Sequence, residues 1–326
     1  MKIALTGASG HLGSALIPAL AAKGHSINAL VRDGKLYDNN VSVNIIQGEL
    51  LSQDALRRLM QDCDALIHCA AVISVNGDPT GDVHRTNVEG TKLVMETARE
   101  CGIKRVVHIS SIHAFRQHPD NEILDEQRAL VDESAFAYDR SKREGQQIAL
   151  SMISETMEVL VMNPTSIIGP YDHKPSKMGK VIMDLYNKKL PFVFDGGFDF
   201  CDSRDVADAV VNALTMGRTG HNYLLGGKWH SLQSLARLLA QASDKKIKVY
   251  AFPVWAGKMG LPFVRLMGAL QHKEPLYTNE ALAAIATGNR CISSKKATDE
   301  LGYRIRPLET TLADTIAWFR QNGYLV

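Results

Sequence analysis

Tyr138 and Lys142 stand four residues apart in Tyr138-Asp139-Arg140-Ser141-Lys142, a stretch that reads as helix to about Met152. That spacing puts a phenol and an ammonium on one helix face. A phenol of ordinary pKa, ~10, moves protons poorly at neutral pH, and a neighbouring ammonium favours the phenolate and brings it nearer the working range. A hydroxyl to hold a substrate oxygen would complete such a group. The apolar run Val106-Val107-His108-Ile109 supplies one, because it ends in Ser110-Ser111, and ligands gather at the carboxyl ends of strands in an open parallel sheet. Alone, a Tyr-x-x-x-Lys pair is a commonplace of helix surfaces. Its weight comes from what precedes it.

What precedes it is Lys2-Ile3-Ala4-Leu5-Thr6-Gly7-Ala8-Ser9-Gly10-His11-Leu12-Gly13, an apolar run that stops at glycines and then takes up helical spacing. Gly7 suits a sharp turn, Gly10 a close backbone approach to a ligand, and Gly13 close packing of helix on strand. The free N–H groups of the first helical turn suit a pyrophosphate. Gly7, Ser9, Gly10, His11 and Leu12 are therefore candidate cofactor contacts. The helix carries Leu12, Ala15, Leu16, Ala19 and Leu20 on one face, with Pro18 deleting the bond to the Ser14 carbonyl, and Gly24 closes it. Ser26–Val31 follows as a second strand, so the three elements fit one right-handed parallel crossover. At its end stands Arg32, a candidate clamp for a 2′-phosphate, which makes NADP(H) the preferred cofactor; Asp33 beside it would suit NAD(H).

The chain has 326 residues, is 45% hydrophobic and 22% charged, and carries a formal charge of +2. These values fit an ordinary globular protein with ample core, and they give no support for nucleic acid or an anionic membrane as partner. Cysteines at 63, 69, 101, 201 and 291 are scattered, with no pair at metal-ligand spacing. They read as reduced, and no metal is expected. A first strand starting at residue 2 and the lack of any ~20-residue apolar run point to a cytoplasmic protein without a membrane span.

Further along, Val43–Ile46 reads as strand, about Asp54–Met60 as helix, and Ala65–Ala71 as a buried strand in which His68 is a satisfied core histidine. A helix with Val88, Thr91, Leu93, Val94 and Ala98 follows. Beyond Gly169 the leucines from 232 to 239, Leu282 to Ile285 and Leu312–Phe319 mark helices. The apolar stretch Phe252–Leu270 is a packed helix or, alternatively, a substrate cover or partner surface.

Taken together, the motifs resemble the short-chain dehydrogenase/reductase superfamily, its extended branch, and within that the proteins similar to dihydroflavonol 4-reductase. The resemblance rests on Gly7-x-x-Gly10-x-x-Gly13, Val31-Arg32-Asp33, Gly48-Glu49-Leu50, Cys63-Asp64 and Thr86-Asn87-Val88-Glu89-Gly90-Thr91. It continues through Arg105–Ser111, the Tyr138/Lys142 pair, Asn163–Pro170 and Asp205-Val206-Ala207-Asp208-Ala209. It implies an α/β fold: a Rossmann-type doubly wound parallel sheet with a smaller C-terminal α/β substrate-binding lobe. Residues 1–169 would form the NADP(H)-binding domain and 170–326 mainly the lobe, with about 200–225 returning to the first domain. It implies Ser111, Tyr138 and Lys142 as catalytic residues, Lys142 also on the nicotinamide ribose. Glu49 and Leu50 would lie near the adenine, Ala70, Ala71 and Val72 along the cofactor, and Pro164 to Ile167 against the carboxamide. Relatives commonly dimerise through the helices around Val88–Ala98 and Tyr138–Met152, which makes a homodimer possible.

The same chemistry serves epimerases, dehydratases and carbonyl reductases. Dehydratases carry an acidic pair where this chain has Ile112-His113-Ala114. Sugar-nucleotide enzymes place arginine where Phe198 stands, and commonly where Asn163 stands, so the cationic grip on a pyrophosphate is missing. The expectation is an NADP(H)-dependent reductase, or alcohol dehydrogenase, of a small, weakly charged carbonyl or alcohol substrate, with His113, Asn163, Tyr171 and Phe198 as candidate substrate contacts. The alternatives are an NAD-dependent sugar epimerase and a non-catalytic dinucleotide-sensing regulator; retention of Ser111, Tyr138 and Lys142 together argues against the second.

Overall fold

Alternation of apolar runs with amphipathic stretches produces a central sheet of seven parallel strands in the order β3-β2-β1-β4-β5-β6-β10 in a computed structural model. It describes residues 1–37, 41–255 and 278–326. The strands are β1 (Lys2–Thr6), β2 (Ser26–Val31), β3 (Asn44–Gln47), β4 (Ala65–His68), β5 (Arg105–Ile109), β6 (Glu158–Pro164) and β10 (Asn222–Leu225). Central strands covered on both faces must be apolar throughout, and β1, β4 and β5 accordingly bury nearly every residue. β4 is shorter than the expected 65–71. It ends at His68, and residues 69–72 run as irregular backbone across the strand ends.

Helices cover both faces. Helix α1 (His11–Ala22) continues through Pro18, and helix α6 (Ser203–Asn212) lies beside it; both bury their apolar stripes in one core with β1, β2 and β6. On the other face α2 (Gln53–Met60) and α3 (Gly90–Glu100) pack over Leu66, Val106 and Val159. The helix α4 (Ala137–Ser151) carries the Tyr-x-x-x-Lys pair. β10 pairs with β6 at the sheet edge, so residues 222–225 belong to the central sheet.

Between these elements the chain builds a second apolar core from α5 (Lys177–Tyr186), α7 (Leu232–Ser243), α8 (Asn279–Thr287) and α10 (Leu308–Gln321). A three-stranded sheet, β7 (Ser166–Ile168), β9 (Gly197–Asp202) and β11 (Lys228–Ser231), and a two-stranded one, β8 (Phe192–Phe194) with β12 (Tyr250–Phe252), complete it. A short helix, α9 (Lys295–Leu301), returns to the first core through Ala297 and Leu301. Of the apolar stretch Phe252–Leu270, residues 256–270 lie outside the described residues. Among the described residues no helix is long and apolar enough to cross a membrane, and all five cysteines are free.

Candidate active site

The turn after β1 is shaped by its glycines. Gly7 has φ +74, and a Cβ there would lie 2.6 Å from the Ala70 nitrogen. A Cβ on Gly13 would lie 2.1 Å from the Gly7 carbonyl oxygen. Gly13 thus lets α1 pack on the turn itself, not on the strand as expected. Gly10, in extended conformation, precedes the first turn of α1, which has neither a side-chain cap nor an acidic residue. Uncapped N–H groups with the positive end of a helix behind them fit a dinucleotide pyrophosphate. Leu12 presents only its backbone there, since its side chain is buried in the core. The His11 ring turns away to the Pro170 carbonyl, 3.0 Å from Nε2.

Thr6 holds the neighbouring wall. Its hydroxyl oxygen accepts from the Cys69 and Ala70 N–H groups and lies 2.7 Å from His68 Nδ1; His68 Nε2 lies 3.1 Å from the Thr91 hydroxyl, which donates to the Asn87 carbonyl. Burial and the nearby Lys142 charge pull His68 down to about 3, so it stays neutral, the satisfied core histidine of the sequence reading. Asn87 clamps the same wall. Its amide exchanges two hydrogen bonds with Val72, at 2.8 and 2.9 Å, and donates a third to Ser141 on α4. Arg32, past the end of β2, is exposed and forms no ion pair among the described residues, while Asp33 accepts from the Lys35 N–H. Glu49 is exposed beside half-buried Leu50, which packs near Gly90.

Ser111 and Tyr138 meet at the end of β5. Ser111 caps the turn Ile112–Ala114 by accepting from the His113 N–H, and its hydroxyl lies beside the Tyr138 phenol. Burial pushes that phenol up to about 12, with the Ser111 hydroxyl opposing. The ammonium of Lys142, one turn further along α4, is buried and donates to the Ile109 carbonyl at 2.9 Å; burial pulls it down to about 8. The expected lowering of the phenol by its lysine is therefore not what this arrangement gives: here the phenol is held protonated.

Two candidate substrate residues do not reach the site. Asn163 is fully buried, and its amide donates to the Ser111 carbonyl (3.0 Å) and to Gln146 Oε1 (2.9 Å), which also accepts from the Ser110 hydroxyl. Asn163 braces the Ser110-Ser111 corner from behind. Tyr171, at φ +70, packs toward Trp318 on α10. Pro164 closes β6 and Ile167 lies in β7 against the first core. His113 and Phe198 do line a cavity of about 590 Å³ that opens on Tyr138. Its walls are mainly apolar, with Ile73, Val75, Phe136, Met178, Val181 and Ile285, and its charged members carry both signs, Lys177 and Lys180 against Asp139, Asp184 and Glu280. His113 Nδ1 lies 3.2 Å from Asp139, and its ring stands edge-on to Tyr138 with centroids 5.8 Å apart. The Asp139 carboxylate pulls His113 upward against its burial.

The sequence reading passed over Asp139, Gln146 and the bracing role of Asn87. Asp139 follows Tyr138 directly, a signal that was available; Gln146 and Asn87 act through contacts that spacing does not reveal. Neither did it find the cavity's far wall, which α5 and α8 bring from the second core.

The model of the NAD dependent epimerase/dehydratase family matches residues 3–226. The chain belongs to this family. Sterol demethylase protein B of Methylococcus capsulatus is 28% identical over all of both chains. A putative dihydroflavonol 4-reductase of Synechocystis sp. is 29% identical over 98% of this chain and 95% of its own. Among solved structures, that of gox2253 superposes with a TM-score of 0.83 at 29% identity, covering 100% of this chain and 99% of that one. This membership and these relatives make the protein an NAD(P)-dependent dehydrogenase/reductase of the extended short-chain type.

Proposed function

We propose that the protein is an NADP(H)-dependent oxidoreductase that reduces the carbonyl, or oxidises the alcohol, of a small, weakly charged and largely apolar substrate. The observation that carries this reading is the cavity on Tyr138. Its apolar walls, with Phe198 among them, exclude water and favour an apolar body over a doubly charged sugar nucleotide. That one relative is named a sterol demethylase protein and another a putative dihydroflavonol reductase agrees with such a substrate.

Bound NADP(H) supplies or accepts the hydride. Gly7, Ser9, Gly10 and the first turn of α1 would hold its pyrophosphate, Ala70, Ala71 and Val72 would line it, Glu49 and Leu50 would flank the adenine and the Pro164–Ile167 backbone the carboxamide. Arg32, exposed and unpaired by any described acid, takes the 2′-phosphate. Ser111 orients the substrate oxygen and Tyr138 gives it a proton through the phenol. Lys142 binds the nicotinamide ribose and offsets the negative charge left on the phenolate. His113 and Phe198 bound the substrate. We also propose a homodimer through α3 and α4, to be checked by light scattering on the eluted protein.

The test is turnover with NADPH across hydrophobic ketones of graded size. Consumption of NADPH, lost in Tyr138→Phe, supports the reading. Protein purified with tightly held NAD that interconverts sugar nucleotides without added cofactor overturns it in favour of an epimerase; cofactor binding with no turnover favours a sensor.

A further inference from the structure

Two loops at the carboxyl ends of strands meet beside the start of α1. One follows β2 and carries Tyr37; the other follows β7 and carries His173. Their rings stack with centroids 5.0 Å apart and an interplanar angle of 15°, and the Lys174 ammonium stands 5.4 Å from the Tyr37 ring centroid.

The two sides are unequally held. The His173 side is braced: its ring abuts Trp318 edge-on at 4.8 Å, and its carbonyl accepts from the Tyr324 hydroxyl at 2.6 Å. Asp172 accepts two bonds from the Ser176 N–H and one from its hydroxyl, and His11, the first residue of α1, bonds the Pro170 carbonyl. This loop is thereby tied to the start of the helix whose N–H groups face a pyrophosphate. The Tyr37 ring is 42% exposed and follows Gly34, at φ +69. On the dinucleotide reading above, a cofactor laid from the Gly7–Leu12 turn toward Arg32 would pass these loops.

We propose that Tyr37, His173 and Lys174 form a clasp over the pyrophosphate of the bound dinucleotide. Tyr37 is the moving jaw, His173 the fixed one, and the Lys174 ammonium is a cation for the phosphates. The proposal rests on the dinucleotide reading above. Opening the jaw governs release, and since both cofactors share the pyrophosphate, the clasp acts on NADPH and NADH alike.

The experiment is stopped-flow displacement of NADPH and of NADH from the wild type, Tyr37→Ala and Tyr37→Phe. Loss of the ring pair and of its cation contact should speed dissociation of both cofactors from Tyr37→Ala by roughly fivefold or more, with Tyr37→Phe close to wild type. Tyr37 is exposed enough for the alanine variant to fold, and an unchanged melting midpoint without cofactor confirms that. Dissociation from Tyr37→Ala within about twofold of wild type overturns the clasp. So does an effect confined to NADPH, which would place Tyr37 at the 2′-phosphate. A wild type that binds neither dinucleotide overturns the functional reading itself, and the clasp with it.

Discussion

At the residue scale, Tyr138 and Lys142 are tuned in opposite senses by one cause, burial, which disfavours the charged form of each. The phenol at about 12 keeps its proton throughout the neutral range, while the ammonium at about 8 loses its charge just above it. In the proposed mechanism, reduction needs the phenol protonated and the ammonium charged. Its kcat/KM should therefore stay level up to about pH 8 and fall above, as Lys142 deprotonates. Lys142→Arg, which cannot titrate there, should abolish that falling limb; a limb that persists in the variant assigns it elsewhere. Tyr138→Phe should lower kcat by ~100-fold or more and leave the dissociation constant of NADPH within about twofold, as read by cofactor fluorescence. If Arg32 grips a 2′-phosphate, Arg32→Ala should weaken NADPH by roughly tenfold and NADH hardly at all. Equal losses, or none, make it a surface residue.

The elements hold these groups through a few buried polar contacts. Asn87 is the one whose loss should be felt furthest, because it ties residues 69–72 to α4 and is 3% exposed. Asn87→Ala removes the partner of the part-buried Val72 N–H and carbonyl, at about 1–3 kcal/mol for the two together. Urea unfolding should register that loss, and cofactor affinity should drop with it. An unchanged midpoint would mean that water replaces the amide. Gly145 is the matching steric device, since a Cβ there would lie 2.8 Å from the Asn87 carbonyl oxygen. A side chain at this point has backbone in its way and would push α4, with Tyr138 and Lys142, off the sheet.

For the molecule as a whole, the cavity is a joint product of two cores. Helix α4 and the turn after β5 supply Tyr138 and His113; α5, β9 and α8 supply Met178, Val181, Phe198 and Ile285. On the proposed reading, apolar shape there sets what is accepted. Phe198→Arg should cut kcat/KM for hydrophobic ketones by roughly tenfold or more, through a charge set in an apolar wall. An unchanged preference would remove Phe198 from the substrate wall.

The strands, the glycine turn and the order of Ser111, Tyr138 and Lys142 were legible in the chain because each rests on local physics. Apolar runs must be buried, a sharp turn needs glycine, and a spacing of four shares a helix face. Contacts between distant segments were not, since nothing local encodes them. Asn163 lies in a motif that suggested substrate contact, yet β5, β6 and α4 enclose it, and it braces Ser111 instead. Tyr171 packs toward Trp318, some 150 residues further along. The pKa values also belong to the fold, because burial is a property of what surrounds a group, and it made the Tyr138 phenol harder to ionise where the lysine alone suggested easier. The sequence by itself determined the sheet, the glycine turn and the family. Only the tertiary structure decided which side chains face the cavity, which merely support it, and how firmly the proton is held.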